Sequence, residues 1–403
     1  MRCSRQRSKS YFSAYNSAVQ GKIKTITMIN AFELTRELLR FNTINPPGDE
    51  RACAEHIGNL LEKHGFTCAY HEFAEKRTSL VARIGTSNGK APICFTGHID
   101  IVPLGNTPWK KDPFAGELDA GKLFGRGSSD MKSGVAAFVA AAVKLADKLK
   151  HSCGVVFIIT AGEERGCQGA DHLESLHRQF GILGTAGAIV VGEPTGNYPF
   201  VGHKGAYWLN AKTRGITAHG SMPELGDNAI YKAAKAIAKL EKYEFTAPSH
   251  FMMGKPTLNV GTIHGGLNPN SVPDEVITSI DIRTIPNQDH QELHRHLQQT
   301  LGHDVELTTV IDVPSVWTEP SHAWVQNVFE ICGKYLNERP QARTASYFTD
   351  AAALRKAYGG PPTIVLGPGE AAMAHQTDEY CFVNKIEASV SMYEEIMAKW
   401  CGV

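Results

Sequence analysis

The chain is expected to be an α/β protein: a helix-covered mixed sheet interrupted by an inserted ferredoxin-like α+β unit. Three observations predict this. First, short apolar runs such as "PICFTGHID" (92–100), "GVVFIITAGEE" (154–164) and "GAIVVGEPT" (187–195) are rich in β-branched residues and bounded by Gly or Pro. They alternate with helix-periodic segments, as in a sheet buried on both faces. Second, residues 206–314 read strand, helix, strand, strand, helix, strand, the order of a ferredoxin-like unit. Third, α/β character returns after 315, so the unit interrupts one larger domain.

The elements follow in order. "AFELTRELLRF" (31–41) places Phe32, Leu34, Leu38 and Leu39 on one helical face. "NPPGDE" breaks it. "ERACAEHIGNLLEKHGF" (50–66) is a second amphipathic helix, ended at Gly65. "SLVARIG" and "PICFTGHID" read as strands, and "SDMKSGVAAFVAAAVKLADKLK" (129–150) as an Ala-rich helix buried on much of its surface. The middle section gives strand "AYWLNAKTRG", helix "GDNAIYKAAKAIAKLEKY", strands "PTLNVGTIHGG" and "DEVITSIDIRTIP", helix "DHQELHRHLQQTLG" and strand "DVELTTVID". "SHAWVQNVFEICGKYL", "DAAALRKAYGG", "PTIVLGPG" and a last helix from Lys385 complete the first domain. The expected division is therefore 28–205 with 315–403, and 206–314 inserted.

Residues 1–27 are excluded from the fold. They are basic and Ser-rich and lack acids. That composition fits a mitochondrial transit segment, or a translation start placed upstream of Met28.

Bulk numbers narrow the function. Lys+Arg and Asp+Glu both number 41, so the formal net charge is zero. This argues against a nucleic-acid binder or an anionic-membrane binder. No apolar stretch is long enough to span a bilayer. The nine cysteines form no C-x-x-C pair. Scattered thiols without a framework suggest a reduced, cytoplasmic protein.

Polar residues gather just past the apolar runs: His98 and Asp100, Glu163 and Glu164, Glu193, and, beyond "PTIVLGPG", His375. Asp130 stands in the Gly/Ser-rich "LFGRGSSDMKSG". Ligand sites in α/β sheets lie beyond the carboxyl ends of strands. Each residue alone has a plain structural explanation: a loop histidine, a helix cap, a turn, a solvated helix start. Together at one edge, these carboxylates would repel unless cations joined them. Imidazole and carboxylate without thiolate suit Zn²⁺, with Co²⁺ or Mn²⁺ as alternatives. Asp130 could bridge two ions, one completed by His98 and Glu193 and the other by Glu164 and His375. Glu163 would then be the general base acting on activated water, its neighbour facing elsewhere from the strand end. Asp100 could accept a hydrogen bond from the other ring nitrogen of His98. The stretch 125–134 lacks the G-K-[ST] ending of a phosphate-binding loop.

"GHID…VP", "LFGRGSSDMKSG", "TAGEE", "GEPT" and "GPGEAAMAHQTDEY" resemble, in order and across about residues 30–400, the dinuclear zinc aminoacylases and exopeptidases. That family includes acetylornithine deacetylase and succinyl-diaminopimelate desuccinylase. The resemblance implies the same ligands and base. It also implies that 206–314 is a lid and homodimerisation domain. His219 would donate to the oxyanion from the partner subunit, and Asn270, Arg283 and Gly367 would contact substrate, Arg283 by binding the substrate's carboxylate. "HKG" at 203–205 and "NVGTIHGG" look closer to acetylornithine deacetylase than to the desuccinylases. The implied activity is hydrolysis of a small N-acyl amino acid. A desuccinylase, a dipeptidase or carboxypeptidase, and an inactive ligand-binding relative are the alternatives.

Overall fold

The structure, a computed structural model, describes residues 29–86 and 89–403. The expectation for residues 1–27 lies outside these. In chain order the first elements are α1 (Ala31–Leu39), α2 (Arg51–Lys63), β1 (Thr67–Ala74), β2 (Arg77–Ile84), β3 (Ile93–His98), β4 (Glu117–Asp119), β5 (Lys122–Phe124), α3 (Ser133–Leu149), β6 (Val155–Thr160), α4 (Gln168–Phe180) and β7 (Ala188–Val191). Then come β8 (Gly202–His203), β9 (Gly205–Arg214), α5 (Ala229–Glu241), β10 (Thr257–Gly265), β11 (Glu275–Thr284), α6 (His290–Leu301) and β12 (Val305–Val313). The chain ends with β13 (Val316–Trp317), α7 (Ala323–Leu336), α8 (Ala351–Ala357), β14 (Thr363–Val365), β15 (Tyr380–Phe382) and α9 (Val383–Cys401).

The larger sheet has six strands in the order β1-β2-β6-β3-β7-β14. β6, β3, β7 and β14 run parallel, with β2 antiparallel to β6 and β1 antiparallel to β2. The expected mixed sheet is therefore present. β3 and β6 are buried along their whole length, which is why they read as unbroken apolar runs. Helices cover both faces. On one, Phe95, Phe138, Phe157 and Tyr393 form an aromatic cluster, with Phe138 and Phe157 centroids 4.9 Å apart. On the other, α4 and α8 pack through Ala170, Leu173 and Ala351–Leu354.

The smaller sheet is fully antiparallel, in the order β10-β11-β9-β12. Its strand order and its two helices match the ferredoxin-like expectation. Asn228 and Asp289 cap α5 and α6 by accepting backbone N–H bonds. Leu240, Leu293, Leu297 and Leu301 from these helices pack on Tyr207, Leu209, Ile280 and Ile282. Burial alternates along β9 and β11. Trp208, Asp281 and Arg283 therefore face away from the helices.

Three expectations need correction. The helix expected from Ser129 begins at Ser133; residues 128–132 form a π-type turn in which Asp130 has φ −121° and ψ 91°. Asp130 is thus presented by a loop and is not a helix cap. The strand before Glu163 ends at Thr160, and Glu163–Arg165 is a single 3₁₀ turn, so the turn separates the two Glu side chains, not strand alternation. In α1, Phe32 is only half-buried, and the packed face is Ala31, Leu34, Thr35, Leu38 and Leu39. Among the described residues, no helix is long and apolar enough to cross a membrane, and the eight described cysteines are all free.

Candidate metal centre and substrate cavity

Strand register builds the centre. His98, the last residue of β3, pairs with Thr160, the last of β6, and Thr96 pairs with Val191, the last of β7. The residues immediately following these ends, including Glu163, Glu164 and Glu193, therefore emerge side by side. Close backbone packing draws them together. A Cβ on Gly134, at the start of α3, would lie 2.1 Å from the carbonyl oxygen of Gly192, and one on Gly97 would strike Met131.

His98 Nε2 lies 3.2 Å from Asp130 Oδ1, 3.7 Å from Glu193 Oε1 and 4.0 Å from Glu163 Oε2. His375 Nε2 lies 3.3 Å from Asp130 Oδ2 and 3.2 Å from Glu164 Oε2. Asp130 therefore turns one oxygen to each imidazole. Two sets, His98–Asp130–Glu164 and His98–Glu163–Glu193, bring one donor atom per residue within 4.8 Å of one another. Glu163 is thus as close to His98 as a ligand would be, a nearness that the sequence did not suggest.

Charge makes the same point. Burial, reinforced by neighbouring carboxylates, pushes Glu163 and Glu193 well above the usual carboxylate range. Burial, then the Asp130 charge, also raises Glu164, whose Oε1 is buried with no hydrogen-bond partner. Burial opposes charge on His98, yet Glu193, Asp100, Asp130 and Glu163 raise it well above its ordinary value. Hydrogen bonds to Asp130 and Glu164 lift His375 to about 10. Burial would raise Asp130 too, but its bonds to His375 and His98 prevail and hold it low. Two imidazoles, four carboxylates and an orphaned carboxylate oxygen fit divalent cations.

Asp100 departs from its expected contact. His98 Nδ1 lies 3.0 Å from the Asp100 backbone carbonyl and 3.5 Å from its carboxylate. The carboxylate accepts from Asn45 Nδ2 at 2.8 Å and from the backbone N–H of Glu163 and Glu164 at 3.0 and 3.2 Å. It therefore fixes the turn that carries both glutamates.

Glu379 escaped the sequence reading, although "HQTDEY" contained it. It is fully buried and accepts from Arg126 Nη1 and from the backbone N–H of Gly127, Ser129 and Asp130 at 2.8–3.1 Å. It clamps the Asp130 loop. Asp350 was also missed; it is buried, bonds Thr160 Oγ1, and burial pushes it up to about 6. A carboxylate before an Ala-rich helix gave no signal beyond an ordinary cap.

A cavity of about 430 Å³ opens on Asp130, Glu163, Glu164, Glu193 and His375, and its remaining wall includes Trp208, Arg283, Tyr347 and Phe348. His219 and Asn270 do not line it. They adjoin each other at the surface, where His219 Nδ1 lies 2.7 Å from Ser221 Oγ and Gly220 N–H donates to the Asn270 carbonyl. Gly367 does not line it either. Its N–H donates to Thr195 Oγ1, and a Cβ there would lie 2.1 Å from Gly192 O and 2.5 Å from Glu193 O. Its visible service is close approach to the Glu193 turn.

A helix-covered sheet bearing imidazoles and carboxylates at its carboxyl edge, beside a small-molecule cavity, defines a metal-dependent hydrolase. Residues 94–399 match the profile of Peptidase family M20/M25/M40, and the chain belongs to that family. It is 28% identical to a probable succinyl-diaminopimelate desuccinylase of Staphylococcus epidermidis over 396 residues, covering 90% of this chain and 96% of that one. It is 30% identical to the acetylornithine deacetylase of Vibrio cholerae over 368 residues, covering 88% and 92%. Among solved structures, the fold resembles an M20 metallo-carboxypeptidase from Sulfolobus solfataricus, with TM-score 0.78, 20% identity and coverage of 93% and 99%. It also resembles a dinuclear metal-binding M20 peptidase from Bacillus subtilis, with TM-score 0.67, 16% identity and coverage of 92% and 98%. The protein is accordingly a metal-dependent amide hydrolase.

Proposed function

We propose that the protein removes the acyl group from a small N-acyl amino acid, in the manner of an acetylornithine deacetylase. The observation that carries this reading is the split of Asp130 between two imidazoles, with Glu163 alongside and Arg283 in the same cavity. His98, Asp130 and Glu193 would hold one ion, and Asp130, Glu164 and His375 the other. Zn²⁺ suits these donors best, and Co²⁺ or Mn²⁺ would also serve. When bound, such a pair polarises the amide carbonyl and acidifies water.

The chain's own groups do the rest. Glu163 takes a proton from the attacking water and returns it to the departing amine. Burial raises its proton affinity well above that of an ordinary carboxylate, which favours taking the proton. Asp100 positions Glu163 by holding its backbone N–H. Arg283 receives the substrate carboxylate on the part of its guanidinium that Asp281 does not occupy. His219, delivered by a second copy of the chain, donates to the oxyanion, and Asn270 is a lid contact to the substrate.

The 206–314 unit is the lid and homodimerisation domain. Ile216, Met222, Leu225, Ile263 and Leu267 are exposed there, and β10 is an open sheet edge. Exposed apolar side chains beside an unpaired edge suit burial by a partner. The protein is proposed to work in the cytoplasm.

Glu163→Gln tests the reading. The variant should keep its bound metal and lose turnover of N-acetyl amino acids by about 10²–10⁴-fold. Unimpaired turnover would sink the assignment of the base.

A further inference from the structure

We propose that the cavity selects N-acyl amino acids with an aromatic, uncharged side chain, and that Trp208 and Phe348 set this preference. This rests on the deacylase reading above and names its substrate class.

The acids lining the cavity are Asp130, Glu163, Glu164 and Glu193, and all four belong to the metal centre. Asp281, on the same face of the small sheet, is ion-paired to Arg283: its Oδ2 accepts from Nε and Nη2 at 3.2 and 3.1 Å, and its Oδ1, which accepts no hydrogen bond, lies 3.0 Å from Nε. A cationic side chain such as that of ornithine would meet carboxylates already committed to the metal centre or to the Arg283 charge, and burying an unpaired charge is costly. A second substrate carboxylate fares no better, because Arg283 is the one Lys or Arg among the cavity's lining residues. His203 and Lys204 do not substitute for it. His203 is buried, pushed down to about 4 and so neutral, and Lys204 Nζ donates to the Lys255 carbonyl.

What the wall does offer is aromatic surface. Trp208 and Phe348 pack edge to face, with centroids 6.4 Å apart and planes at 80°. The Arg283 guanidinium lies 5.8 Å from the Trp208 ring centroid. The Tyr347 hydroxyl donates to the Pro194 carbonyl at 2.9 Å, which fixes a third ring beside the Glu193 turn. In an amino acid the carboxylate and side chain share the α-carbon. With its carboxylate on Arg283, 5.8 Å from the Trp208 centroid, and its amide at the metal donors, a substrate in the proposed pose turns its side chain to Trp208. An aromatic side chain there completes an edge-to-face cluster.

The test compares purified zinc-loaded protein on N-acetyl-L-phenylalanine, N-acetyl-L-ornithine, N-succinyl-diaminopimelate and N-acetyl-L-alanine. The expected kcat/KM for the phenylalanine substrate exceeds those for ornithine and diaminopimelate by at least about tenfold. Trp208→Ala should lower the phenylalanine value by roughly 10- to 100-fold, mainly through KM, with a much smaller effect on the alanine substrate. Trp208→Phe should restore most of it. A preference for N-acetylornithine, or an equal loss on every substrate in Trp208→Ala, overturns the proposal. Binding of the same ligands to zinc-loaded Glu163→Gln protein, by calorimetry, judges selectivity without turnover; tighter binding of the ornithine ligand also overturns it. Hydrolysis of dipeptides with no N-acyl amino acid cleaved would refute the deacylase reading, while the binding comparison still decides the aromatic one.

Discussion

Glu379 never faces the cavity, yet its replacement by Gln should weaken the metal centre. The carboxylate meets four donors: Arg126 Nη1 at 2.8 Å and the backbone N–H of Gly127, Ser129 and Asp130 at 3.1, 2.8 and 3.0 Å. A Gln side chain offers one accepting oxygen, and its amide N–H₂ is turned against donors. At least two donors lose their partner, each at a cost of about 1–3 kcal/mol. Arg126 is 1% exposed, so weakening its ion pair adds to this. The sum is about 3–5 kcal/mol. Burial pushes Glu379 up to about 7, so the comparison belongs at pH 8, where the carboxylate is charged. Because the lost bonds hold the Asp130 loop, zinc affinity should also fall, by roughly 10- to 100-fold. Denaturant unfolding and competitive zinc titration with a chromophoric chelator measure the two effects. Unchanged unfolding free energy together with unchanged zinc affinity would refute the clamp.

Burial lowers His203 from 6.5 to about 4. Between those values the unfolded chain binds more protons, so this residue's contribution to stability falls as pH drops from 6.5 to 4, by about 3 kcal/mol in all. His203→Phe should show a shallower loss of unfolding free energy than the parent over that window; identical slopes would contradict the assignment. Gly367→Ala must displace backbone, because its Cβ would meet Gly192 O at 2.1 Å and Glu193 O at 2.5 Å. It should lower zinc affinity and depress turnover of every substrate alike. A KM effect confined to one substrate would instead favour direct substrate contact.

Sequence and structure agree where a residue's environment is written into its neighbours. β3, β6 and β7 are buried on both faces, so their apolar runs and the polar residues just beyond them were legible. β11 alternates cleanly, and β9 and β12 alternate well enough to reveal the ferredoxin-like unit. β1 was missed because "TCAYHEFA" lies at the sheet edge, half-exposed, without a clean apolar face. The convergence of Glu379 and Asp350 on the centre was illegible for another reason. Both act through contacts across roughly 190–250 residues of chain, and a lone buried carboxylate looks locally like any cap or loop acid. Gly367 shows the same limit, since close backbone approach leaves no mark beyond the glycine itself. The aromatic wall needed the fold as well, because Trp208 and Phe348 come from different domains of the expected division.

Deacylation is proposed to depend on a divalent metal pair held by Asp130 between His98 and His375. The most direct measurement is zinc titration into metal-stripped protein while N-acetyl amino acid hydrolysis is followed. No turnover is expected without metal, and activity should rise and saturate as two equivalents bind. Turnover in the stripped protein, or saturation of the sites with no hydrolysis of any N-acyl amino acid, would contradict it.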